Sequence, residues 1–186
     1  MLKNFQYYLF IFNLCFFSCT IEKKEFDNPV DFKANDELGV EAPTIVFYPL
    51  TQTKTMQDSV ILESHLVFKE DSMEQFSGVH LQINFPESIL ELDTVIAGIF
   101  ITDSNKSVPL FNYSYNGENE IDVFAYFLDT LKRNIEGTGE IARIFFKSRA
   151  LGVDSIHYNL EQCELINSND EIIKLNGKRS AEIIIE

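Results

Sequence analysis

Alternating apolar and polar residues between positions 74 and 92 are the clearest structural signal in the chain. Apolar residues at 79, 81, 83 and 85 alternate with Gly78, His80, Gln82 and Asn84, which is the period of a strand with one buried face. Pro86 lacks a ladder donor and ends this strand. A second apolar run follows at 89–92, so the stretch predicts two strands joined by a proline turn.

Similar short runs continue to the C-terminus and alternate with turn-forming residues, for example at 116–118 and 167–170. Such spacing is typical of a sandwich, because two packed sheets bury the alternating faces. We therefore predict an all-β fold, a nine-stranded antiparallel β-sandwich of jelly-roll type. Its strands are predicted at 44–48, 59–68, 75–85, 91–101, 108–115, 120–128, 139–147, 155–165 and 180–185. Only 129–135 has a helical pattern.

Two predicted strands carry apolar residues on both faces. In 121–128 the second face holds Asp122, Phe124, Tyr126 and Leu128, and in 141–147 Phe145 stands between two basic residues. Aromatic residues on the outside of a sheet either lie under a loop or bind a partner. The sequence leaves both interpretations open.

Residues 1–18 have the pattern of a signal peptide. Lys3 precedes an apolar run that is shorter than the ~20 residues of a membrane-spanning helix. The end of the run resembles a bacterial lipobox, with Phe16 where that motif usually has Leu. The resemblance implies a lipid anchor at Cys19, and Thr20 favours the outer membrane or cell surface. Ordinary signal cleavage and an uncleaved anchor are the alternatives.

Residues 19–42 are charged and non-periodic, and Pro29 and Gly39 interrupt them. This composition predicts a flexible tether, followed by one folded domain at 43–186. The oxygen-rich clusters at 27–29 and 35–37 are possible calcium ligands, although a solvated linker is the simpler interpretation.

Net charge and side-chain spacing exclude several classes of function. The formal charge of −14 opposes binding to nucleic acid. His65, His80 and His157 have no metal-ligand spacing, and Cys163 carries no sign of activation. Turns at 103–105 and 167–171 are rich in oxygen but do not follow a calcium-binding loop. We expect no catalytic residues, no metal and no cofactor in this chain. Any calcium would be bound mainly by a partner protein.

The pattern from residue 43 onward resembles a cohesin domain. The strand–proline–strand segment at 78–92 is similar to the early core of that family, and 122–130 looks like its sixth strand. Gly137 and Gly139 precede a further strand, Gly152 lies in a loop, and a glycine hairpin precedes the last apolar strand. The chain departs from the family at Phe85, where many cohesins have Asp.

The resemblance implies a non-catalytic receptor for dockerins, which are calcium-loaded modules of enzymes that break down polysaccharides. It places recognition on the sheet that holds strands three, five, six and eight. The outward candidates are His80, Gln82, Asn84, Phe124, Tyr126, His157 and Asn159, with Tyr113 and Tyr115 added if their strand has the same phase. A carbohydrate-binding module, with Tyr113, Tyr115 and Tyr126 as its platform, and a structural or adhesion lipoprotein are the alternatives.

Overall fold

Strands dominate the part of the chain that the computed structural model describes, residues 28–72, 74–102, 109–117, 119–128 and 135–186. The strands are β1 Thr44–Tyr48, β2 Thr51–Lys54, β3 Ser59–Val67, β4 Gln75–Phe76, β5 Gly78–Asn84, β6 Leu90–Ala97, β7 Leu110–Tyr115, β8 Glu120–Tyr126, β9 Ile135–Glu136, β10 Gly139–Ser148, β11 Gly152–Tyr158, β12 Glu164–Ile166, β13 Ile172–Ile173, β14 Gly177–Arg179 and β15 Ala181–Ile185. The helices are α1 Phe32–Glu37, α2 Ile99–Thr102 and a 3₁₀ turn at Leu160–Gln162.

Two sheets form the sandwich. The first has five strands in the order β14-β1-β3-β10-β6. In the second, β5 pairs along one edge with β8, which pairs in turn with β7. The other edge of β5 is shared, because β12 pairs near Gly78 and β11 pairs near Asn84. Strands β15 and β2 continue the sheet beyond β11, and β13 continues it beyond β12.

The alternating residues of both sheets meet in one hydrophobic core, and a buried tyrosine links the two sheets. The rings of Phe47 in β1 and Tyr158 in β11 stack with centroids 4.1 Å apart. The Tyr158 hydroxyl donates to the Val46 carbonyl at 3.2 Å and is hydrogen-bonded to Ser64 Oγ at 2.8 Å. Burial raises the pKa of Tyr158 well above its usual value, although the Ser64 hydrogen bond opposes this.

The predicted all-β sandwich is confirmed, including the placement of predicted strands three, five, six and eight in one sheet. The prediction of nine purely antiparallel strands is wrong, because β14 runs parallel to β1 and β2 runs parallel to β15. The short strands β2, β13 and β14 were not predicted. They hold two to four residues each, too few to show a period.

Three predicted strands are interrupted. The strand at 75–85 breaks at Ser77, whose N–H and hydroxyl bond to carbonyls at Ile166 and Asn167. The strand at 91–101 ends at Ala97, and α2 follows. The strand at 155–165 is divided by the 3₁₀ turn. Most of the predicted helix at 129–135 lies outside the described residues, and its last residue begins β9.

Part of the predicted tether is folded. Asp31 caps α1, with its carboxylate accepting from the backbone N–H of Lys33 at 2.7 Å and of Ala34 at 3.3 Å. The buried Asn35 amide donates to the Pro29 and Asp31 carbonyls at 2.7 and 2.8 Å. These bonds make 28–38 a local structure rather than a flexible coil. The oxygen atoms at Asp31 therefore serve as a helix cap.

None of the helices in the described ranges is long and apolar enough to cross a membrane. The predicted signal peptide and Cys19 lie outside those ranges. The division of the chain at residues 18 and 42 stays a prediction.

Candidate functional site

The outer face of the eight-stranded sheet brings together the residues predicted for recognition. In β5 the odd-numbered residues are buried, and His80, Gln82 and Asn84 are half-exposed on the other side. Directly opposite residues of an antiparallel pair share a face, and β8 places Phe124 opposite His80 and Tyr126 opposite Gly78. Phe124 and Tyr126 therefore lie on the same outer face as the β5 residues.

The two remaining predicted residues complete this group at the β11 edge. His157 lies opposite Asn84 and is exposed. Asn159 follows β11, and its side-chain amide donates to Gln82 Oε1 at 2.7 Å. Its backbone N–H also donates to the Gln82 carbonyl at 2.9 Å. The structure thus brings together residues from three separate stretches of sequence.

A stacked and hydrogen-bonded cluster occupies the centre of this face. The His80 ring lies parallel to Phe124, with centroids 4.5 Å apart and an angle of 7° between the planes. His80 Nε2 lies 2.8 Å from Asp122 Oδ1, and Gln82 Nε2 donates to the same oxygen at 3.3 Å. These contacts restrict the rotamers before any partner arrives, which lowers the entropic cost of binding.

Tyr126 lies against the backbone of β5 because Gly78 has no side chain. A Cβ atom added at Gly78 would lie 2.2 Å from Tyr126 Cδ1 and 2.9 Å from Ile166 Cγ1. Burial raises the pKa of Tyr126, and the nearby Glu164 carboxylate adds to the shift. The sequence pattern does not reveal this packing position of the Tyr126 ring, since it predicts only that Gly78 is part of a strand.

Tyr113 and Tyr115 do not join this face, because their strand does not have the phase that would add them. In the β7–β8 pair, Tyr113 lies opposite Val123 and Tyr115 opposite Ile121, and both of these partners are buried. Tyr113 packs against the core. The outward residues of β7 are instead Leu110, Asn112 and Ser114.

The departure from the cohesin pattern at Phe85 has a packing explanation. Phe85 is buried, and its ring centroid lies 5.1 Å from that of Phe146 and 5.8 Å from that of Tyr115. The side chain therefore faces the core and does not contribute to the outer face.

Cys163 lies behind the candidate face as a buried thiol. Its sulfur accepts from the Gln82 N–H at 3.4 Å. Burial raises its pKa to about 11, although the backbone hydrogen bond and Lys178 oppose the shift. The thiol is protonated at neutral pH, so its role is packing, as predicted.

Neither the histidines nor the oxygen-rich turn forms a metal centre. Within the described ranges, no group of three or more His, Cys, Asp or Glu side chains could hold a metal ion. His65 lies on the other sheet and contacts Glu63 at 3.0 Å. Asn167 Oδ1 accepts from two backbone N–H groups of its own turn. The turn at 103–105 lies outside the described residues.

The second predicted aromatic outer position lies on the five-stranded sheet. Phe145 in β10 is half-buried and lies opposite Ile61 and Thr94. The neighbouring outward residue, Arg143, bonds to Glu140 at 2.8 Å and to Glu63 at 3.0 Å. Cross-strand contacts thus account for part of the burial of Phe145.

Comparison by structure finds cohesin modules, which confirms the resemblance at the level of the fold. The seventh ScaB type I cohesin of Pseudobacteroides cellulosolvens matches with a TM-score of 0.61 at 16% identity, covering 77% of this chain and 91% of that one. A cohesin–dockerin complex from Clostridium thermocellum matches with a TM-score of 0.61 at 15% identity, covering 77% and 92%. A cohesin module from a family 33 glycoside hydrolase of Clostridium perfringens matches with a TM-score of 0.59 at 5% identity, covering 77% and 97%.

Comparison by sequence gives no match, either to a protein-family model or to a curated protein.

Proposed function

We propose that this chain is a non-catalytic receptor that docks a dockerin-type protein module on the outer face of its eight-stranded sheet. The observation that carries the proposal is the assembly of His80, Gln82, Phe124 and Asn159 with their neighbours on one face. These residues are far apart in sequence, and the sheet brings them together.

The fold of the structural neighbours supports this proposal, since one of them is a cohesin in a cohesin–dockerin complex. The chemistry of the face supports it as well. A protein interface usually contains a few aromatic anchors surrounded by polar groups. Here Phe124 and Tyr126 are the anchors, and Asp122, Gln82 and Asn84 supply the surrounding donors and acceptors.

Binding of purified dockerin modules to two variants, Phe124→Asp and Tyr126→Asp, tests this assignment. The panel contains the dockerins of the neighbouring complexes and those encoded by the source organism, each measured with calcium and with chelator. Loss of one anchor costs about 2 kcal/mol or more at a hot spot, which is a rise in Kd of about 30-fold or more.

Val153→Asp is the matched control, because Val153 is an exposed aliphatic residue of the same sheet in the part of β11 that pairs with β15 and not with β5. It should leave the affinity unchanged. Equal affinity of the parent and both aromatic variants would refute the assignment of the face. Failure of every dockerin to bind in calcium would refute the function itself.

We also propose that Cys19 anchors the chain by lipid to the outer membrane or cell surface. The lipobox-like end of the predicted signal peptide supports this. Mass spectrometry of the N-terminal peptide should show a lipidated Cys19 in the native protein. A Cys19→Ser variant should move from the membrane fraction to the soluble fraction. A variant that stays in the membrane fraction would contradict the proposal.

Carbohydrate binding is the second candidate, favoured by the Tyr126 ring that lies against the strand of Gly78. Tyr113 and Tyr115 face the other way, so the predicted three-tyrosine platform is not assembled. Incubation with insoluble polysaccharides distinguishes the two functions. If a polysaccharide removes the parent protein from solution but leaves a Tyr126→Ala variant in solution, the result would support carbohydrate binding. If no polysaccharide removes the parent protein from solution, the result would oppose carbohydrate binding.

A further inference from the structure

Two Asn-Gly pairs occur in the chain, Asn116-Gly117 and Asn176-Gly177. Each pair places a side-chain amide next to the backbone nitrogen of a residue without a Cβ atom, and that nitrogen can approach the amide carbon closely. The intrinsic chemistry of the two pairs is therefore the same. Only their surroundings in the fold distinguish them.

The pair at 176–177 is held by its neighbours at the start of β14. The side-chain amide of Asn176 donates to the Ala42 carbonyl at 3.0 Å. Gly177 pairs with Thr44 of β1. A Cβ atom added at Gly177 would lie 2.7 Å from Val40 Cγ1, so the backbone is covered as well as paired. Rotation of this pair requires that these contacts break.

The pair at 116–117 lies in the open turn between β7 and β8, and both of its residues are exposed. Gly117 has a φ of 78°, and no described atom beyond its chain neighbours lies within 4 Å of the place of a Cβ. The Asn116 amide donates to Glu120 Oε1 at 2.9 Å, a surface contact that a side-chain rotation breaks. The Asn119 carbonyl accepts from the Phe85 N–H at 2.9 Å, so the turn stays attached to β5 while the pair moves.

We propose that Asn116 is a self-modification site, at which the folded chain converts this asparagine to aspartate and isoaspartate without an enzyme. The Gly117 nitrogen forms a bond to Asn116 Cγ, and the bond from Cγ to Nδ2 breaks. The proton of the Gly117 N–H leaves with the amide group as ammonia, and a succinimide ring remains. Water then opens one of the two carbonyl–nitrogen bonds of the ring. Opening at Cγ gives aspartate, and opening at the main-chain carbonyl gives isoaspartate.

The product changes the contact with Glu120. A carboxylate oxygen replaces the amide donor, so two carboxylates face each other where a 2.9 Å hydrogen bond was, and like charges at this distance repel. The chain also becomes one unit more negative than its formal −14. In isoaspartate the main chain of the turn is one carbon longer. The modification therefore loosens the turn between β7 and β8, and this inference is independent of the proposed docking function.

Incubation of the full chain at mildly alkaline pH, in water labelled with a heavy oxygen isotope, tests the proposal. Peptide mass spectrometry measures the two sites in the same sample, since each conversion incorporates labelled oxygen and fragment ions assign it to residue 116 or 176. Residue 116 should react at least about tenfold faster than residue 176, because the pair at 176–177 must first open locally. In urea the two rates should become similar, since the fold no longer distinguishes the pairs.

Two variants test the cause of the difference. Gly117→Ala adds a Cβ atom beside the attacking nitrogen and should slow conversion at 116 at least tenfold, with no change at 176. Val40→Ala uncovers Gly177 and should accelerate conversion at 176, with no change at 116. Equal or slower conversion at 116 than at 176 in the folded parent, or conversion at 116 in urea only, would overturn the inference. An unchanged rate at 116 in folded Gly117→Ala would overturn the succinimide route; the comparison of folded and urea-treated parent does not depend on that variant.

Discussion

Replacement of Tyr158 by Phe tests the packing of the two sheets at a single oxygen atom. Tyr158 is fully buried in β11, and its hydroxyl is hydrogen-bonded to Ser64 Oγ and to the Val46 carbonyl of the other sheet. The Phe variant keeps the ring and its stacking on Phe47, which has centroids 4.1 Å apart. Only the hydrogen bonds are removed.

The expected loss of unfolding free energy is about 1–2 kcal/mol. A net hydrogen bond contributes about 0.5–1.5 kcal/mol, and an acceptor left buried without a partner costs about 1–3 kcal/mol. The Ser64 side chain is fully buried, so water cannot replace the lost donor. In a protein of this size, such a loss lowers the melting temperature by roughly 2–8 °C.

Urea unfolding followed by circular dichroism measures the effect. The midpoint should fall while the slope m stays constant, because the unfolded surface is the same. Tyr115→Phe is the control, since Tyr115 is exposed, and its change should stay within about 0.5 kcal/mol. A double-mutant cycle with Ser64→Ala should show that the two losses are less than additive.

An unchanged midpoint for Tyr158→Phe would refute the claim that this hydroxyl links the sheets. Fully additive losses in the cycle would refute the contact with Ser64 in particular. Since the variant leaves the outer face intact, dockerin affinity should remain that of the parent.

Further predictions concern Cys163, Arg143 and Gly78. The pKa of the Cys163 thiol is raised from 9.0 to about 11 in the fold. The neutral thiol therefore contributes roughly 2–3 kcal/mol to the unfolding free energy, which is present below pH 9 and lost as the pH rises to about 11. Cys163→Ala should reduce the dependence of the unfolding free energy on pH over that window, and an identical pH dependence in parent and variant would contradict the assignment. Arg143→Ala leaves the buried Glu140 carboxylate without its cation and should cost about 1–3 kcal/mol, whereas Lys147→Ala removes a solvent-exposed ion pair and should cost less; equal losses would oppose this reasoning. Gly78→Ala should displace the Tyr126 ring and raise the Kd for a dockerin about tenfold, while the higher strand propensity of Ala, about 0.5–1 kcal/mol, offsets part of the loss of stability; an unchanged dockerin affinity would show that the position of Tyr126 against Gly78 is not needed.

The candidate face was predictable where a strict period of two runs through a long strand. In β5 and β8 the alternation predicts which residues are outward, and the structure confirms His80, Gln82, Asn84, Phe124 and Tyr126 in those positions. For β7 the same argument left the phase open. Phe111, Tyr113 and Tyr115 share one side of this strand and Leu110, Asn112 and Ser114 share the other, and the sequence pattern does not decide which side is buried.

Short elements escaped the sequence argument. The pairs that form β9 and β13 contain two residues each, and a period needs a longer run to be visible. Ile172 was therefore missed, although it is 70% exposed at the edge of the eight-stranded sheet. Folding of 28–38 was missed for a related reason, since it depends on the Asp31 cap and on bonds made by one buried side chain, Asn35.

The sequence by itself determined the all-β class, the acidic character and the outward phase of the two central strands, because period and charge are local properties of the chain. The tertiary structure decided the rest. Register placed Phe124 against His80 and aligned Leu110 with Tyr126, Ile166 and Ile172, although up to 62 positions separate them in the chain. Pairing between distant strands depends on the burial of the whole core, which no local pattern encodes.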